Sequence, residues 1–221
     1  MTTIDTNLNK YNTILFDLDG TLLNTLTDLY LSTNYALKSF GYKERTIDEV
    51  MHFLGNGVRV LINKSLPDDA KDKTDEVLEV FKAHYKIHSM DHAELYDGII
   101  ELLIELKKRN FKIGIVTNKF HQAALDIYNK FFKNYADMIL GEQPNMPKKP
   151  NCAMINYAIN LLHSTSKETL YVGDSEVDIL TAKNSNLDYV SCSWGFRSYD
   201  ELVQAHSKAI INKPLELLKY I

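Results

Sequence analysis

The stretch Thr13-Ile14-Leu15-Phe16-Asp17-Leu18-Asp19-Gly20-Thr21 decides how the rest of this 221-residue chain is read. Thr13 to Phe16 is a short apolar run bounded by a polar turn, the pattern of a buried strand. The turn carries two carboxylates two residues apart. Residues at i and i+2 of an extended segment project to the same side, so Asp17 and Asp19 are expected to face one site together. Gly20 permits a tight turn, expected to aim backbone N–H groups into that site. Alone, such a turn is also an ordinary polar exit from a strand, and its meaning depends on what other segments bring to it.

Downstream, Leu26 to Phe40 has apolar residues at helical spacing and ends at Gly41. Thr46-Ile47-Asp48-Glu49 matches a capping box opening a short helix. Gly55-Asn56-Gly57 breaks the chain, Val58, Leu61 and Ile62 resume the helical pattern, and Asp68 to His88 reads as one long charged helix. Tyr30, Phe40, Phe53, Phe81 and Tyr85 sit at packing spacing and read as the core of this block, which has no strand of its own between Leu26 and His88. His84 and His88 lie four apart without a third ligand and read as a surface pair.

From Gly98 onward the pattern alternates. Strands are expected near 111–116, 138–140, 170–172, 189–193 and 209–211, with helices near 98–110, 122–130, 153–162 and 176–184 and a last one opened by Pro214. Alternating strands and helices predict a parallel sheet covered on both faces. The expected fold is an α/β, doubly wound, Rossmann-like core formed by residues 1–22 and 92–221, with residues 23–91 inserted as an all-helical cap.

Composition narrows the classes of function. A net charge of -4 gives no electrostatic reason to expect nucleic acid or an anionic membrane as partner. No apolar run approaches a membrane span, and the first seven residues lack the basic flank and apolar core of a signal peptide. Cys152 and Cys192 make no metal spacing and are expected as reduced thiols of a cytoplasmic protein.

Open parallel sheets bind ligands outside the carboxyl ends of their strands. The first strand ends in Asp17 and Asp19, the second in Thr117 and Asn118, and the fourth in Gly173-Asp174-Ser175 with Asp178 one turn on; Lys148 and Lys149 lie in the loop after the third. These groups suit metal-assisted phosphoryl transfer. Carboxylates hold Mg²⁺, a lysine and a hydroxyl hold phosphoryl oxygens, and one carboxylate attacks phosphorus.

In these segments the chain resembles the haloacid dehalogenase-like hydrolases. Asp17-Leu18-Asp19-Gly20-Thr21-Leu22, Thr117-Asn118, Lys149-Pro150 and Gly173-Asp174-Ser175-x-x-Asp178 are similar to that family's four motifs, in order. Phe53-Leu54-Gly55-Asn56-Gly57, Val116-Thr117-Asn118-Lys119 and Trp194-Gly195-Phe196 resemble its phosphoglycolate phosphatase branch. Two departures stand out: Cys152 where a proline often follows the lysine motif, and Asn24 where many members carry aspartate.

The resemblance implies that Asp17 attacks phosphorus and forms an aspartyl-phosphate, while Asp19 protonates the leaving alkoxide and then activates water. Mg²⁺ would be held by Asp17, the Asp19 carbonyl and Asp174. The Thr117 hydroxyl, the Asn118 backbone N–H and Lys149 would hold the phosphoryl group, with Lys148 its solvated neighbour, the register between the two lysines staying open, and Gly20 and Thr21 ordering the loop. Asp178 either orients a metal-bound water or Lys149, or serves as a helix-start carboxylate. Gly55 and Gly57 suggest a backbone close to substrate; Arg59 either meets a substrate carboxylate or is an exposed helix arginine, and Lys119 is a candidate to face the leaving group. The implied substrate is a small phosphorylated metabolite, 2-phosphoglycolate foremost, acted on by a monomer or homodimer. Pyrophosphatase and sugar-phosphate mutase activities stand as alternatives. A catalytically silent phosphate-binding module would be expected to lack one of Asp17, Asp19, Lys149 or Asp174, and all four are present.

Overall fold

The computed structural model describes residues 10–221. Residues 1–9, the start of the expected core segment and of the stretch read for a signal peptide, lie outside the described residues. Strand β1 (Thr13–Phe16) leads through the carboxylate turn to the short β2 (Leu23–Asn24). Helices α1 (Leu26–Ser39), α2 (Ile47–Phe53), α3 (Val58–Ser65) and α4 (Thr74–His88) follow, then β3 (Glu94–Leu95) and α5 (Ile99–Lys108). The remainder runs β4 (Lys112–Phe120), α6 (His121–Ile127), β5 (Met138–Glu142), α7 (Ala153–Leu161), β6 (Thr169–Gly173), α8 (Glu176–Asn184), β7 (Asp188–Cys192), α9 (Tyr199–Gln204) and β8 (Ile210–Ile211).

Six strands form one parallel sheet in the order β5-β4-β1-β6-β7-β8. All four residues of β1 are buried, as a central strand covered on both faces requires. The chain adds β4 and β5 on one side of β1, then returns to add β6, β7 and β8 on the other. The crevice of an open α/β sheet lies at such a reversal. Phe16 is in register with Ile115 of β4 and Val172 of β6. Three strand ends therefore open side by side there.

Helices α1 to α4 enclose a hydrophobic cluster of their own, built on residues such as Leu37, Leu61, Ile62, Val77 and Phe81, which Phe196 joins from the far end of the chain. The capping box at Thr46 forms as the sequence predicts. Strands β2 and β3 pair antiparallel, Leu23 with Leu95, where the chain enters and leaves the helical block.

The long helix expected from Asp68 is divided. Asp68–Lys73 is a 3₁₀ segment with Ala70 outside helical geometry, and α4 begins only at Thr74. The Lys71 ammonium donates to the carbonyls of Asn63 and Leu66, and Thr74 Oγ1 donates to the Lys71 carbonyl; these tertiary bonds hold the first turn against α3. Likewise α6 is shorter than expected and passes into a π turn over Tyr128–Phe132, and the segment opened by Pro214 is 3₁₀. Among the described residues, no helix is long and apolar enough to cross a membrane, and Cys152 and Cys192 are free thiols.

Candidate active site

The turn after β1 continues the sheet, Asp17 N–H donating to the Val172 carbonyl at 2.9 Å. Gly20 adopts φ +89°, and a Cβ there would stand 2.3 Å from Asp174 Oδ2. Only glycine lets the turn lie this close to the carboxylate. The amides of Gly20, Thr21 and Leu22 bond to the carbonyls of Leu23 and Leu18, so they close the turn rather than point into the site as the sequence suggested. Thr21 orders it, its hydroxyl donating to Asp174 Oδ1 at 3.2 Å. Asn24 has a local task, its Oδ1 accepting from Leu26 N at the start of α1.

Lys149 is almost fully buried and reaches three partners: Asp17 Oδ1 at 2.7 Å, Asp178 Oδ1 at 2.8 Å and the Tyr171 hydroxyl at 2.9 Å. Burial by itself would lower its pKa, but Asp17 and Asp178 outweigh it and hold the ammonium well above its ordinary range. Lys148 instead lies part-exposed, 3.5 Å from Glu142. Of the two lysines, the loop buries Lys149 and leaves Lys148 at the surface.

Asp178 is bonded both to its own helix start and to Lys149. It accepts from the amide and hydroxyl of Ser175 at the start of α8, and also from Lys149 and Tyr171. Burial pushes its carboxyl up, yet Lys149 and these donors bring it below the usual carboxylate value. The other two carboxyls go the opposite way. Burial drives Asp17 up to about 7 against the pull of Lys149, and burial with the neighbouring Asp178 and Asp17 pushes Asp174 well above its usual value.

Asp17, Asp174 and Asp178 each offer an oxygen within 4.8 Å of the others. Asp17 and Asp178 both bond the buried Lys149 with Asp174 beside them, and burial is the leading cause of the upward shifts of Asp17 and Asp174. An all-oxygen, net negative set of this kind fits a hard divalent cation.

The end of β4 shifts register against β5 between Val116 and Phe120, and the residues in that irregularity face the site. Thr117 Oγ1 accepts from Lys119 N at 3.1 Å, which leaves its hydroxyl hydrogen available to a ligand. The Asn118 side chain is committed to structure: Oδ1 accepts from Lys149 N, and Nδ2 donates to the carbonyls of Lys149 and Gly55. Lys119 Nζ donates at 2.8 Å to Asp19 Oδ1, to which Thr25 also donates at 2.6 Å.

The helical block closes over these groups, leaving a cavity of about 50 Å³ walled in part by Leu54, Gly55, Gly57 and Val58. Gly55 and Gly57 come close to core side chains: a Cβ at Gly57 would be 2.9 Å from Lys148 Nζ. Arg59 is not brought to the cavity. It faces solvent, paired with Asp75 at 2.9 and 3.1 Å, the exposed helix arginine of its two readings.

Three contributors escaped the sequence reading. The Tyr85 hydroxyl, counted as cap core, accepts from Lys119 Nζ at 2.7 Å; helical spacing locates a ring but not the target of its hydroxyl. Tyr171 ends on Lys149 and Asp178. Arg197, directly after the noted Trp194-Gly195-Phe196 run, lines the cavity and is buried.

A capped α/β sheet with an acidic, lysine-bearing crevice defines a class of metal-assisted hydrolase, and sequence comparison gives its family. The family profile described as haloacid dehalogenase-like hydrolase matches residues 14–192, and the chain belongs to that family. A phosphoglycolate phosphatase of Colwellia psychrerythraea is 33% identical over 207 residues, 89% of this chain and 91% of that one. One from Aquifex aeolicus is 31% identical over 209 residues, 93% and 94% of the two chains. A crystal structure from Lactobacillus delbrueckii subsp. bulgaricus superposes with a TM-score of 0.91 at 29% identity, covering 96% of this chain and 98% of the other.

Proposed function

We propose that this phosphatase hydrolyses a small phosphomonoester, 2-phosphoglycolate foremost, through an aspartyl-phosphate on Asp17 and with Mg²⁺ as its cation. The observation that carries the reading is the Lys149 ammonium held between Asp17 and Asp178 beside Asp174. An incoming phosphoryl group meets a nucleophile, a fixed cation and a carboxylate cluster within one crevice. The substrate is suggested by the phosphoglycolate phosphatases to which the chain is similar.

In the first half-reaction an Asp17 carboxylate oxygen bonds to phosphorus, the ester P–O bond breaks, and Asp19 delivers a proton to the departing alkoxide. In the second, Asp19 takes a proton from water as that water bonds to phosphorus, and the bond to Asp17 breaks to release phosphate. The Thr117 hydroxyl, the Asn118 backbone N–H and Lys149 hold the phosphoryl oxygens. Mg²⁺ would be held by Asp17, Asp174 and the Asp19 carbonyl, with Asp178 steadying Lys149 beside it. When bound it supplies positive charge that lets an anionic phosphoryl group approach the carboxylates.

Residues 23–91 act as the cap that excludes bulk water, on a core of 1–22 and 92–221. A cytoplasmic setting belongs to the same proposal, in keeping with two free thiols.

A phosphate-release screen with Mg²⁺ across 2-phosphoglycolate, other small phosphomonoesters, pyrophosphate and hexose phosphates tests the reading. Preference for 2-phosphoglycolate is expected. Preference for pyrophosphate, or interconversion of hexose phosphates without phosphate release, would replace it with the pyrophosphatase or mutase alternative.

A further inference from the structure

Arg197 lies in the segment between β7 and α9, buried to 7% exposure. Its Nε and Nη2 donate to the two carboxylate oxygens of Glu176 at 2.9 and 3.1 Å, a bidentate pair anchored at the start of α8. From there the same guanidinium reaches across to the helical block. Nη1 donates to the Met51 carbonyl and Nη2 to the Leu54 carbonyl, both at 3.2 Å.

The Met51 carbonyl lies in the last turn of α2, where it also accepts from the Leu54 N–H, and the Leu54 carbonyl lies just past it, at the negative end of the helix dipole. A guanidinium has five N–H donors in a fixed fork, and these four hydrogen bonds occupy most of them. Arg197 is therefore spent on protein partners, in contrast to a free cation waiting for a substrate anion.

The neighbouring residue links this contact to the chemistry. Phe196 N–H donates to Asp174 Oδ2 at 2.8 Å, while its ring packs in the hydrophobic cluster of the helical block. Two consecutive residues thus join a carboxylate of the candidate cation site to the end of α2. Immediately beyond that end, Leu54 and Gly55 wall the cavity, and Asn118 Nδ2 holds the Gly55 carbonyl at 3.0 Å.

We propose that Arg197 is a positioning and specificity-determining residue, which pins the end of α2 to the core and so sets the cavity wall facing the non-phosphate end of the substrate. The inference rests on the phosphatase reading above. A wall held in place by Arg197 would favour a small phosphomonoester, whereas a bulky aryl phosphate would need that wall displaced. Releasing α2 should therefore harm the first and spare the second. Lysine keeps the charge but lacks the planar fork that spans Glu176 and two carbonyls.

The test compares wild type with Arg197→Ala, Arg197→Lys and Glu176→Gln. Each is assayed on the small phosphomonoester selected by the screen and on p-nitrophenyl phosphate, with thermal unfolding measured alongside. Arg197→Ala is expected to raise KM for the small substrate at least about tenfold, with kcat/KM for the aryl ester changed less than about twofold or increased. Arg197→Lys should recover only part of the difference, and Glu176→Gln should shift the ratio in the same direction by less. If Arg197→Ala does not fold, Glu176→Gln decides. Losses in parallel on both substrates, or an unchanged ratio, would overturn the role of Arg197 while leaving the phosphatase reading intact. Inactivity of the wild type on every phosphoester would overturn both.

Discussion

Lys119 on β4 and Tyr85 on α4 are joined by a 2.7 Å hydrogen bond from ammonium to hydroxyl, beside the 2.8 Å bond from the same ammonium to Asp19. A sheet strand and a helix of the inserted block thus share one buried cation at the opening turn. Burial would lower the Lys119 pKa, but Asp19 and Tyr85 reverse that and keep it charged. The Tyr85 hydroxyl is pushed up to about 12 by burial and stays neutral.

Tyr85→Phe should remove the hydroxyl while keeping the ring stacked on Phe81 at 5.2 Å. Lys119 retains Asp19, so the stability cost should fall at the low end for a buried hydrogen bond, about 1 kcal/mol by urea unfolding. With Lys119 no longer steadied from the helical side, kcat/KM for the small substrate should drop about three- to tenfold. A variant as active and as stable as wild type would show that the contact is idle.

Asp17→Asn should lower kcat by at least about a thousandfold on every phosphoester, because an amide oxygen cannot form the acyl phosphate. The fold should survive. The ionised Asp17 is disfavoured in its buried setting, so metal-free Asp17→Asn should melt no lower than wild type at neutral pH. Residual turnover close to wild type would remove Asp17 as nucleophile.

Metal removal should make stability depend on pH in a defined direction. Asp17 and Asp174 carry folded-state pKa values above 3.8, so without a cation the folded protein binds their protons more tightly than the unfolded chain. Their effect is to lower stability as pH rises from near 4 through about 7. Asp178 works in the opposite sense, losing its contribution only as pH falls below the ordinary carboxylate range. In excess chelator the melting temperature should therefore fall between about pH 5 and about pH 7, and Mg²⁺ should restore it more at the upper end. A chelated protein whose stability rises over that window would contradict the charge balance assigned to the cluster.

Arg59→Ala should be nearly silent. Its partner Asp75 is exposed and neither residue lines the cavity, so stability should be essentially unchanged. KM for a carboxylate-bearing substrate should stay within about a factor of two. A selective rise in KM for such substrates would return Arg59 to the site.

The α/β core, the helical insertion and the alternation after Gly98 were legible because each rests on local periodicity and strand-end chemistry. Helix α8 begins at Glu176 and ends at Asn184, as read from sequence. The division of the Asp68–His88 stretch was not legible, because Lys71 is drawn to carbonyls of Asn63 and Leu66, a contact that periodicity does not encode. At the site, Lys149 and Asp178 could be named from motif spacing. Their mutual bond, and Tyr171 as their common partner, depend on strands more than twenty residues apart in the chain.

By itself, the sequence determined that Asp17 and Asp19 leave a buried strand on one side of a glycine turn, and that lysine and further carboxylates stand at neighbouring strand ends. Local backbone geometry suffices for that. Only the tertiary structure decided which lysine is buried, that Arg59 faces solvent while Arg197 holds α2, and that the amides after Gly20 close their own turn. Those outcomes turn on which groups packing removes from water, since a cation surrendering its hydration must find carboxylates and carbonyls from distant segments to replace it.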